Sequence, residues 1–346
     1  MHISEFDYDL PKELIAQFPT DKRDESKMLV LNRQNRILEH KHFYNIVDYL
    51  GENDVLVLNN TRVIPARIIG KKSTGAIIEV FLLKNTQGKQ WEVLIKPSKR
   101  IKPDTIVNVS EELDVKAIER IDNGKWLVEL MYEGNIYEVL DRVGKIPLPP
   151  YIERSLSDEQ INSLDYERYQ TVYAQHPGSV AAPTAGLHFS EEVLNRLKEK
   201  GVQICYVTLN VGLGTFRPVQ VENIFEHQMD SESYEVSEAT ANIINEAKEH
   251  GKNIVAVGTT TVRTLESTFA KHGKVVPCQD SSRLFIYPGY KFGVIDKLVT
   301  NFHLPKSTLL MLVSALAGRE FVFEAYAEAI KNDYRFYSYG DCMFIN

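Results

Sequence analysis

The spacing of hydrophobic and polar positions changes once along the chain. Between about residues 63 and 137 the apolar positions form short β-branched runs, among them IIEVFLL, WEVLI and WLVEL, separated by Gly, Asn or Pro. Runs of this kind predict strands, and their succession predicts an all-β module, either a small barrel or a curled sheet. The module ends at VGKIPLPPYI, whose prolines predict a stiff, extended connector.

Beyond the connector, helical and strand patterns alternate. SEEVLNRLKEKG, SEATANIINEAKEHG and TTTVRTLESTFAKHG predict helices that end at a glycine, and the first has Ser190 at its N-cap. VQICYVTLNVG, KNIVAVG and RLFIYPG predict strands, whereas STLLMLVSALAG and FVFEAYAEAIKNDY predict two further helices. This alternation predicts an α/β domain with largely parallel strands.

The N-terminal piece, which contains KMLVLNR and DVLVLNNTRVIPAR, is also β-rich but too short for a core of its own. We therefore assign it to the α/β domain and treat the β module as an insertion. The predicted organisation is an α/β core of residues 1–61 and 151–346 and an inserted β-barrel domain of residues 62–150.

Composition restricts the class of protein. The 346 residues are 43% hydrophobic and 25% charged, as in ordinary globular proteins. The three cysteines are far apart and outside any CxxC pair, which predicts no disulfide framework, no zinc site and a reducing cytoplasmic location. The charged N-terminus and the short LLMLVSALA run predict neither a signal peptide nor a membrane span.

Positive charge is concentrated in one segment. The net charge is −7, yet residues 61–103 carry ten Lys and Arg against two Glu. Such a segment can follow an RNA phosphate backbone, but a solvated strand face with scattered lysines would look the same. Both interpretations stay open at this point.

Two candidate ligand loops precede predicted helices or strands in the middle of the chain. GSVAAPTAGLHF (residues 178–189) is built from small residues that let the backbone approach a ligand, and its titratable residue is His188. A lone His of this kind is also typical of a buried structural imidazole. NVGLGTFRPV has a weak G-x-G pattern, typical of a tight turn, although Arg217 is placed to clamp a phosphate or carboxylate.

Two more loops lie near predicted helix starts. In GTTTVRTLE the threonines predict a helix N-terminus with free N–H groups. Arg263 opposes the helix dipole there, which predicts a buried ion pair or an anionic ligand. In TNFHLPKST, Asn301, His303 and Lys306 supply polar groups, and a buried structural imidazole is an equal alternative for His303.

Several common chemistries lack their motifs. FEHQMDSESYEV mixes His and carboxylates but matches neither HExxH nor an EF-hand loop, so we expect no metal site. The Walker and GxSxG motifs are absent, which argues against NTP hydrolysis and serine-hydrolase chemistry. The aromatic tail YRFYSYGDCMFIN suits base stacking, but a C-terminal strand that completes a sheet would look the same and is the favoured interpretation.

These motifs together closely resemble the S-adenosylmethionine:tRNA ribosyltransferase-isomerases of queuosine biosynthesis. The resemblance runs through the four loops and through SYEVS, FIYPGYKF and YRFYSYGDCMFI, and earlier through NNTRVIPARI, IKPSKRIK and IPLPPYIER. It covers nearly the whole chain in order. One departure is Asp230, which stands where the family's HxMHxExY pattern has a second His, whereas His227, Glu232 and Tyr234 match.

The resemblance implies an activity and a fold. It implies transfer and isomerisation of the ribosyl moiety of S-adenosylmethionine onto 7-aminomethyl-7-deazaguanine at the tRNA wobble position, which gives epoxyqueuosine-tRNA, adenine and methionine. It implies a barrel-like α/β core with an inserted small β-barrel. The implied partners are S-adenosylmethionine as co-substrate and the tRNA, with no metal, for a monomeric cytoplasmic protein without membrane contact.

The resemblance and the chemistry together indicate the site residues. For the proton transfers we expect His188, His227, Glu232 and His303, with acid and base unassigned. For S-adenosylmethionine we expect Thr184, Phe189, Thr215, Arg217, Thr259, Thr260, Thr261, Arg263 and Tyr287. For the tRNA and its target base we expect Arg62, Arg67, Lys96, Lys99, Arg100, Glu266, Asn301 and Lys306.

Two other functions compete with this one. An S-adenosylmethionine-dependent RNA methyltransferase normally shows a clearer glycine-rich turn after its first strand than this chain has. A non-enzymatic RNA-binding protein would leave His188, His303 and Arg263 without a purpose.

Overall fold

A computed structural model describes residues 1–121, 124–154, 158–212 and 219–346. The described strands are β1 (Lys27–Asn32), β2 (Ile37–His42), β3 (Asp54–Asn59), β4 (Thr61–Val63), β5 (Arg67–Lys71), β6 (Ile77–Gln87), β7 (Gln90–Lys96), β8 (Ile106–Asn108), β9 (Asp114–Arg120), β10 (Lys125–Met131), β11 (His176–Ser179), β12 (Gln203–Leu209), β13 (Glu232–Val236), β14 (Asn253–Val257), β15 (Cys278–Ser282), β16 (Lys297–Asn301) and β17 (Cys342–Ile345). The described α-helices are α1 (Ile136–Val143), α2 (Glu159–Arg168), α3 (Glu191–Glu199), α4 (Glu238–Glu249), α5 (Thr259–His272), α6 (Thr308–Ala317) and α7 (Arg319–Lys331).

The β-rich middle of the chain forms a closed barrel of six strands in the order β10-β7-β6-β5-β8-β9. Its neighbouring strands pair antiparallel. Alternate side chains point inward and are fully buried, as Val80, Val93 and Val128 are. Helix α1 adds Val139 and Leu140 to the same core. The structure thus confirms the β-barrel that the short alternating runs predict.

The rest of the chain builds a nine-stranded sheet in the order β15-β13-β12-β3-β14-β16-β17-β1-β2. The central strands β12, β3, β14 and β16 are parallel to their neighbours in this set, as predicted. Both edges are antiparallel, because β2 returns as a hairpin beside β1, and β13 and β15 pair antiparallel. Strand β17 pairs antiparallel with β16 and parallel with β1. The expectation of largely parallel strands therefore holds for β12, β3, β14 and β16 but not for the sheet as a whole, while the α/β class is confirmed.

Local sequence signals account for most helices of this part. Ser190 accepts a hydrogen bond from the backbone N–H of Val193 at the start of α3, and Ser237 caps α4 in the same way. Helix α5 ends at Gly273 in the left-handed conformation, with a φ of 71°.

Two local predictions differ from the structure. The run RLFIYPG is not a strand, because β15 ends at Ser282 and the apolar side chains that follow, such as Ile286, pack on the core from a loop. Helices α1 and α2 have no counterpart in the predictions. Both are short and begin at Asn135 and Asp158, whose side chains cap them.

The topology brings several loops to one edge of the sheet. Strands β3, β14 and β16 are parallel, so their carboxyl ends lie at the same edge, where α5 and α6 then begin. Strand β17 lies between β16 and β1 and completes the centre of the sheet. Among the described helices, none combines the length and apolar character needed to cross a bilayer.

Candidate active site

A pocket of about 60 Å³ lies at the carboxyl ends of β14 and β16. Its walls come from residues 182–185, 258–260 and 300–304 and from Tyr151, Val211, Ser307, Leu309, Tyr337 and Ser338. All four predicted loops therefore contribute to one site, and NVGLGTFRPV does so through Val211. The enclosed volume accepts only part of a ligand as large as a nucleoside, so such a ligand must extend beyond the walls described here.

Small residues in the segment 178–189 have two purposes. Ala182, Thr184 and Ala185 line the pocket, as expected for a wall that a ligand approaches closely. Gly186 has a packing reason, because a Cβ at this position would lie 2.1 Å from the Oη of Tyr173. The segment thus packs against Tyr173 on one side and faces the pocket on the other.

The N-terminus of α5 opens into the pocket. Gly258 precedes it with a φ of 82°, and Gly258, Thr259 and Thr260 line the walls. Among the described residues, no acceptor receives the backbone N–H groups of Thr259, Thr260 and Thr261. The Thr261 side chain is buried and donates to the carbonyl of Val257 at 2.7 Å. The helix start therefore offers free N–H groups to an anion.

Asn301 connects the pocket wall to His188. The Asn301 amide donates to the carbonyl of Tyr337 at 3.1 Å and to Nε2 of His188 at 3.2 Å. Its Oδ1 accepts the hydroxyl of Thr184 at 3.1 Å. Nδ1 of His188 then donates to Oγ of Ser26 at 2.7 Å. Both ring nitrogens of His188 are thus used inside the protein.

His188 is a neutral imidazole in this environment. It is 3% exposed, and burial, with Arg335 and Arg23 nearby, lowers its pKa to about 3. It does not line the pocket but lies behind Asn301. The geometry places the predicted catalytic His188 where it orients Asn301, without direct access to a ligand in this pocket.

His303 differs from His188 because it lines the pocket. Its Nε2 is 2.7 Å from Oγ1 of Thr300, and no described residue binds its Nδ1. Tyrosine hydroxyls hold its backbone on both sides, since Tyr326 accepts from its N–H at 2.8 Å and Tyr8 donates to its carbonyl at 2.5 Å. Withdrawal from water lowers the pKa of His303. This histidine is therefore neutral, oriented and open on one nitrogen.

Glu232 and Arg263 form a buried ion pair. Nη1 of Arg263 is 2.5 Å from Oε2 of Glu232, and the two side chains are 5% and 6% exposed. Oε1 of Glu232 accepts the N–H of Gly212 at 3.1 Å. Nε and Nη2 of Arg263 are also buried, and the described part of the chain supplies them with no acceptor. The pair lies outside the pocket wall. The predicted residues Thr215 and Arg217 lie outside the described residues.

Two predicted ligand contacts have structural surroundings. Phe189 is fully buried and packs edge-to-face on Phe43 at 4.7 Å between ring centroids. Glu266 is fully buried, and its carboxylate accepts the N–H groups of Gly293 and Val294 at 2.9 and 3.0 Å, with further bonds from Ile295 and Tyr290. This geometry favours a role in holding the loop over contact with a base edge.

His227 and Tyr287 belong to a separate aromatic group. His227 packs on Phe285 at 5.4 Å, and Tyr287 packs on Phe285 at 5.1 Å and on Phe225 at 5.4 Å. Burial lowers the pKa of His227 and is its largest influence, while Asp230 acts in the opposite direction. None of these rings lines the pocket that the described residues form.

The predicted RNA contacts fall into two groups. Arg62 is paired with Asp141 at 2.9 Å and Arg67 with Glu79 at 2.8 Å. Lys96, Lys99 and Arg100 are exposed at the end of β7 and in the turn that follows. The structure records no ion pair of these three with the described residues, so their charges are available to a partner.

Lys306 lies beside the pocket loop rather than in the pocket. Its Nζ is 2.7 Å from a carboxylate oxygen of Asp7, and both side chains are close to half exposed. Its backbone N–H donates to the carbonyl of Phe6 at 2.8 Å, which ties the N-terminal segment to the loop.

Sequence reasoning missed four wall residues, which are Tyr151, Thr300, Tyr337 and Ser338. Tyr337 and Ser338 belong to the aromatic tail, for which a strand that completes a sheet was the favoured interpretation. Tyr337 has a φ of 71°, an unusual conformation for a tyrosine that often marks a functional position. Ser338 is 2.7 Å from the hydroxyl of Tyr151. Thr300 is the first residue of the predicted loop TNFHLPKST and Tyr151 lies in the proline-rich connector, but no local pattern marks either one as a ligand contact. Within the described ranges, no group of three or more His, Cys, Asp and Glu side chains is arranged to hold a metal ion.

Comparisons with known proteins agree with the sequence resemblance. The profile of the family described as "Queuosine biosynthesis protein" matches residues 3–345. The chain is similar to proteins named S-adenosylmethionine:tRNA ribosyltransferase-isomerase from Acetivibrio thermocellus, with 53% identity over 100% of both chains, and from Fusobacterium nucleatum, with 51% identity over 99% of this chain and 97% of the relative.

A solved structure is similar as well. A crystal structure of S-adenosylmethionine tRNA ribosyltransferase from Thermotoga maritima is 39% identical, covers 99% of this chain and 100% of its own, and superposes with a TM-score of 0.55. With sequence and structure in agreement over the full length, this chain belongs to the queuosine biosynthesis family of S-adenosylmethionine:tRNA ribosyltransferase-isomerases.

Proposed function

We propose that this protein transfers and isomerises the ribosyl moiety of S-adenosylmethionine onto 7-aminomethyl-7-deazaguanine at the tRNA wobble position, with release of adenine and methionine. The observation that carries the proposal is the full-length match, at 51–53% identity, to relatives that bear the name of this activity. The pocket supports it, since family motifs form its walls.

The pocket fits the methionine end of S-adenosylmethionine best. The free N–H groups at Thr259 and Thr260 suit a carboxylate at a helix N-terminus. Small side chains at Ala182 and Ala185 let the ligand approach the backbone. Arg263, with buried donors unused by the described residues, is a second candidate for an anionic group.

The reaction needs groups that move protons. The attacking amine resembles that of lysine, whose ordinary pKa is about 10, so it must lose a proton first. S-adenosylmethionine supplies a sulfonium that acidifies the carbon beside it. We assign proton transfer to His303, because it lines the pocket, its imidazole is neutral, and one ring nitrogen has no partner among the described residues.

The remaining predicted catalytic residues receive supporting positions. His188 orients Asn301, which faces the ligand. Glu232 neutralises Arg263 and keeps its guanidinium in a fixed place. His227, with Tyr287, is half exposed beside Phe225 and is a candidate contact for a base outside the pocket.

The inserted β-barrel, residues 62–150, is proposed as the tRNA platform. Its exposed Lys96, Lys99 and Arg100 supply unpaired positive charge for the stem phosphates, whereas Arg62 and Arg67 already hold carboxylates. The core would comprise residues 1–61 and 151–346. We further propose that the protein acts as a monomer in the cytoplasm, without a membrane partner.

The test is identification of the small products. The protein is incubated with S-adenosylmethionine and tRNA that carries the aminomethyl-deazaguanine, and the supernatant is separated by chromatography. Adenine and methionine in equal amounts are the expected result. S-adenosylhomocysteine would indicate methyl transfer, and tight tRNA binding without turnover would indicate a non-enzymatic RNA-binding protein.

A further inference from the structure

A second cavity, separate from the active-site pocket, lies between the β-barrel and the proline-rich connector. This cleft has a volume of about 770 Å³. Its floor is the outer face of β6 and β7, and its opposite wall is formed by residues 144–150 and by α2. A volume of this size accepts a nucleotide, whereas the active-site pocket encloses only about 60 Å³.

The floor of the cleft carries two apolar side chains beside the Arg67–Glu79 ion pair, on an outer face that is normally polar throughout. Phe81 and Leu94 are cross-strand partners, and both point away from the barrel core that Val80 and Val93 fill. Both are half-buried and line the cleft, and Phe81 also touches the edge of the barrel core. The outer face therefore presents an aromatic ring and an aliphatic side chain towards an open space.

The opposite wall is apolar along the connector prolines and polar along α2, where Asn162, Asp165 and Tyr166 line it. Pro147, Leu148 and Pro149 line the side that faces the barrel. Lys96 is exposed at the rim and has no carboxylate partner among the described residues. Proline and aromatic faces on two sides with a cation at the edge suit an unpaired nucleobase and its phosphate.

The connector separates the cleft from the active-site pocket by a single layer of chain. Tyr151 lines the pocket, and the next residue, Ile152, lines the cleft. Below them Arg154 and Asp165 form a buried ion pair at 2.7 Å, which fixes the connector against α2. A strand of RNA that places one base in the pocket can therefore place a neighbouring nucleotide in the cleft.

We propose that this cleft binds one unpaired nucleotide next to the modified position in the anticodon loop. The base lies between Phe81 and Leu94 on one side and the connector prolines on the other, and Lys96 binds its phosphate. This proposal rests on the proposed function, since it requires a tRNA loop as substrate. It assigns to Phe81 and Leu94 a binding task that no motif in the sequence indicates.

The test combines protein variants with abasic RNA. A stem-loop that carries the aminomethyl-deazaguanine is prepared with an abasic site on its 5′ or its 3′ side, and its binding to the full-length protein is measured by fluorescence anisotropy. The variant is Phe81→Ala. The matched control is Leu83→Ala, a half-buried residue of the same strand that does not line the cleft.

We expect one of the two abasic sites to weaken binding to the unaltered protein by roughly five- to hundredfold. The same abasic site should weaken binding to Phe81→Ala by less than about threefold, because the stacking partner is already missing. Equal losses in both proteins at both positions would overturn the proposal. The proposal would also be overturned if the abasic site weakened binding to Leu83→Ala as little as it weakens binding to Phe81→Ala.

Two controls keep the result interpretable. Thermal unfolding checks that Phe81→Ala is folded. If that variant does not fold, the measurement is made with Leu94→Ser, at the position that pairs with Phe81 across the strands. Adenine release by the unaltered protein is measured in parallel. If adenine forms but the abasic site weakens binding to Phe81→Ala as much as to the unaltered protein, only the cleft proposal fails. If no adenine forms, the proposed function fails as well.

Discussion

The contact between Thr300 and His303 allows a test that separates the effect of a hydroxyl group on turnover from the effect of a methyl group on stability. Thr300 is 1% exposed, and its Oγ1 lies 2.7 Å from Nε2 of His303. Thr300→Val keeps the shape of the side chain but removes the hydrogen bond. Thr300→Ser keeps the hydroxyl but removes one buried methyl group. If the contact orients His303 for proton transfer, the valine variant is the impaired one.

The magnitudes follow from the burial of the pair. Loss of a hydrogen bond to a buried polar group costs about 1–3 kcal/mol, and if the imidazole needs this bond in the transition state, kcat falls by roughly five- to 150-fold. Loss of a buried methyl group in Thr300→Ser costs about 1 kcal/mol of unfolding free energy, or about 2 °C in Tm, and leaves kcat nearly unchanged.

The assay is the rate of adenine release at saturating S-adenosylmethionine and tRNA, together with thermal unfolding of each variant. We expect Thr300→Val to lower kcat with little change in KM and in Tm. A serine variant slower than the valine variant would show that packing, and not the hydroxyl, is what matters. His303→Gln is measured beside them, because full activity in that variant would remove His303 itself from the mechanism.

Three further predictions follow from buried and exposed charges. Glu232→Ala leaves the buried Arg263 without its carboxylate and should lower the unfolding free energy by about 3–5 kcal/mol in chemical denaturation, with Glu232→Gln less affected. The folded-state pKa of His188 is about 3, below its ordinary 6.5, so protonation favours the unfolded chain. The unfolding free energy should therefore fall as the pH drops below 6.5 towards 3. His188→Gln should make Tm less dependent on pH between 6.5 and 4.5. The double variant Lys99→Ala, Arg100→Ala should weaken tRNA binding and reduce the slope of log K against log salt by roughly 1.5 to 2, whereas an unchanged slope would place the RNA elsewhere.

The barrel and the helices of the core were predictable because their signals are local. Alternation along β6 and β7 separates inward from outward positions, and a serine at the N-cap with a glycine at the end brackets a helix such as α3. The antiparallel edges were not predictable, since strand direction depends on which neighbour a strand reaches in space. RLFIYPG shows the same limit, because its apolar residues pack on the core without joining the sheet.

The loops of the site were predictable, but the contacts inside them were not. A buried ion pair was one of the two alternatives predicted for Arg263, but its partner Glu232, 31 positions away and expected to transfer protons, could not be identified from the sequence. Glu266 was expected to read a base, yet four donors of a distant loop occupy its carboxylate. Residue type and loop position indicate that a group is chemically useful, whereas its partners decide whether it is available.

The two predicted histidines show why availability matters for the chemistry of the pocket. In sequence His188 and His303 look alike, each beside small or apolar residues that precede a helix. In the structure His188 has both nitrogens occupied, and its Nε2 accepts one hydrogen of the Asn301 amide while the carbonyl of Tyr337 accepts the other.

This arrangement determines what Asn301 can offer to a ligand. Both amide hydrogens are used within the protein, and Oδ1 has accepted only the hydroxyl of Thr184 among the described residues. A carbonyl oxygen has two lone pairs, so one acceptor position of Asn301 remains. A flipped amide is excluded, because Oδ1 would then face the carbonyl of Tyr337. A ligand group that meets Asn301 in the pocket must therefore be a donor, a hydroxyl or an amine, and His188, although it cannot reach that ligand, fixes this preference.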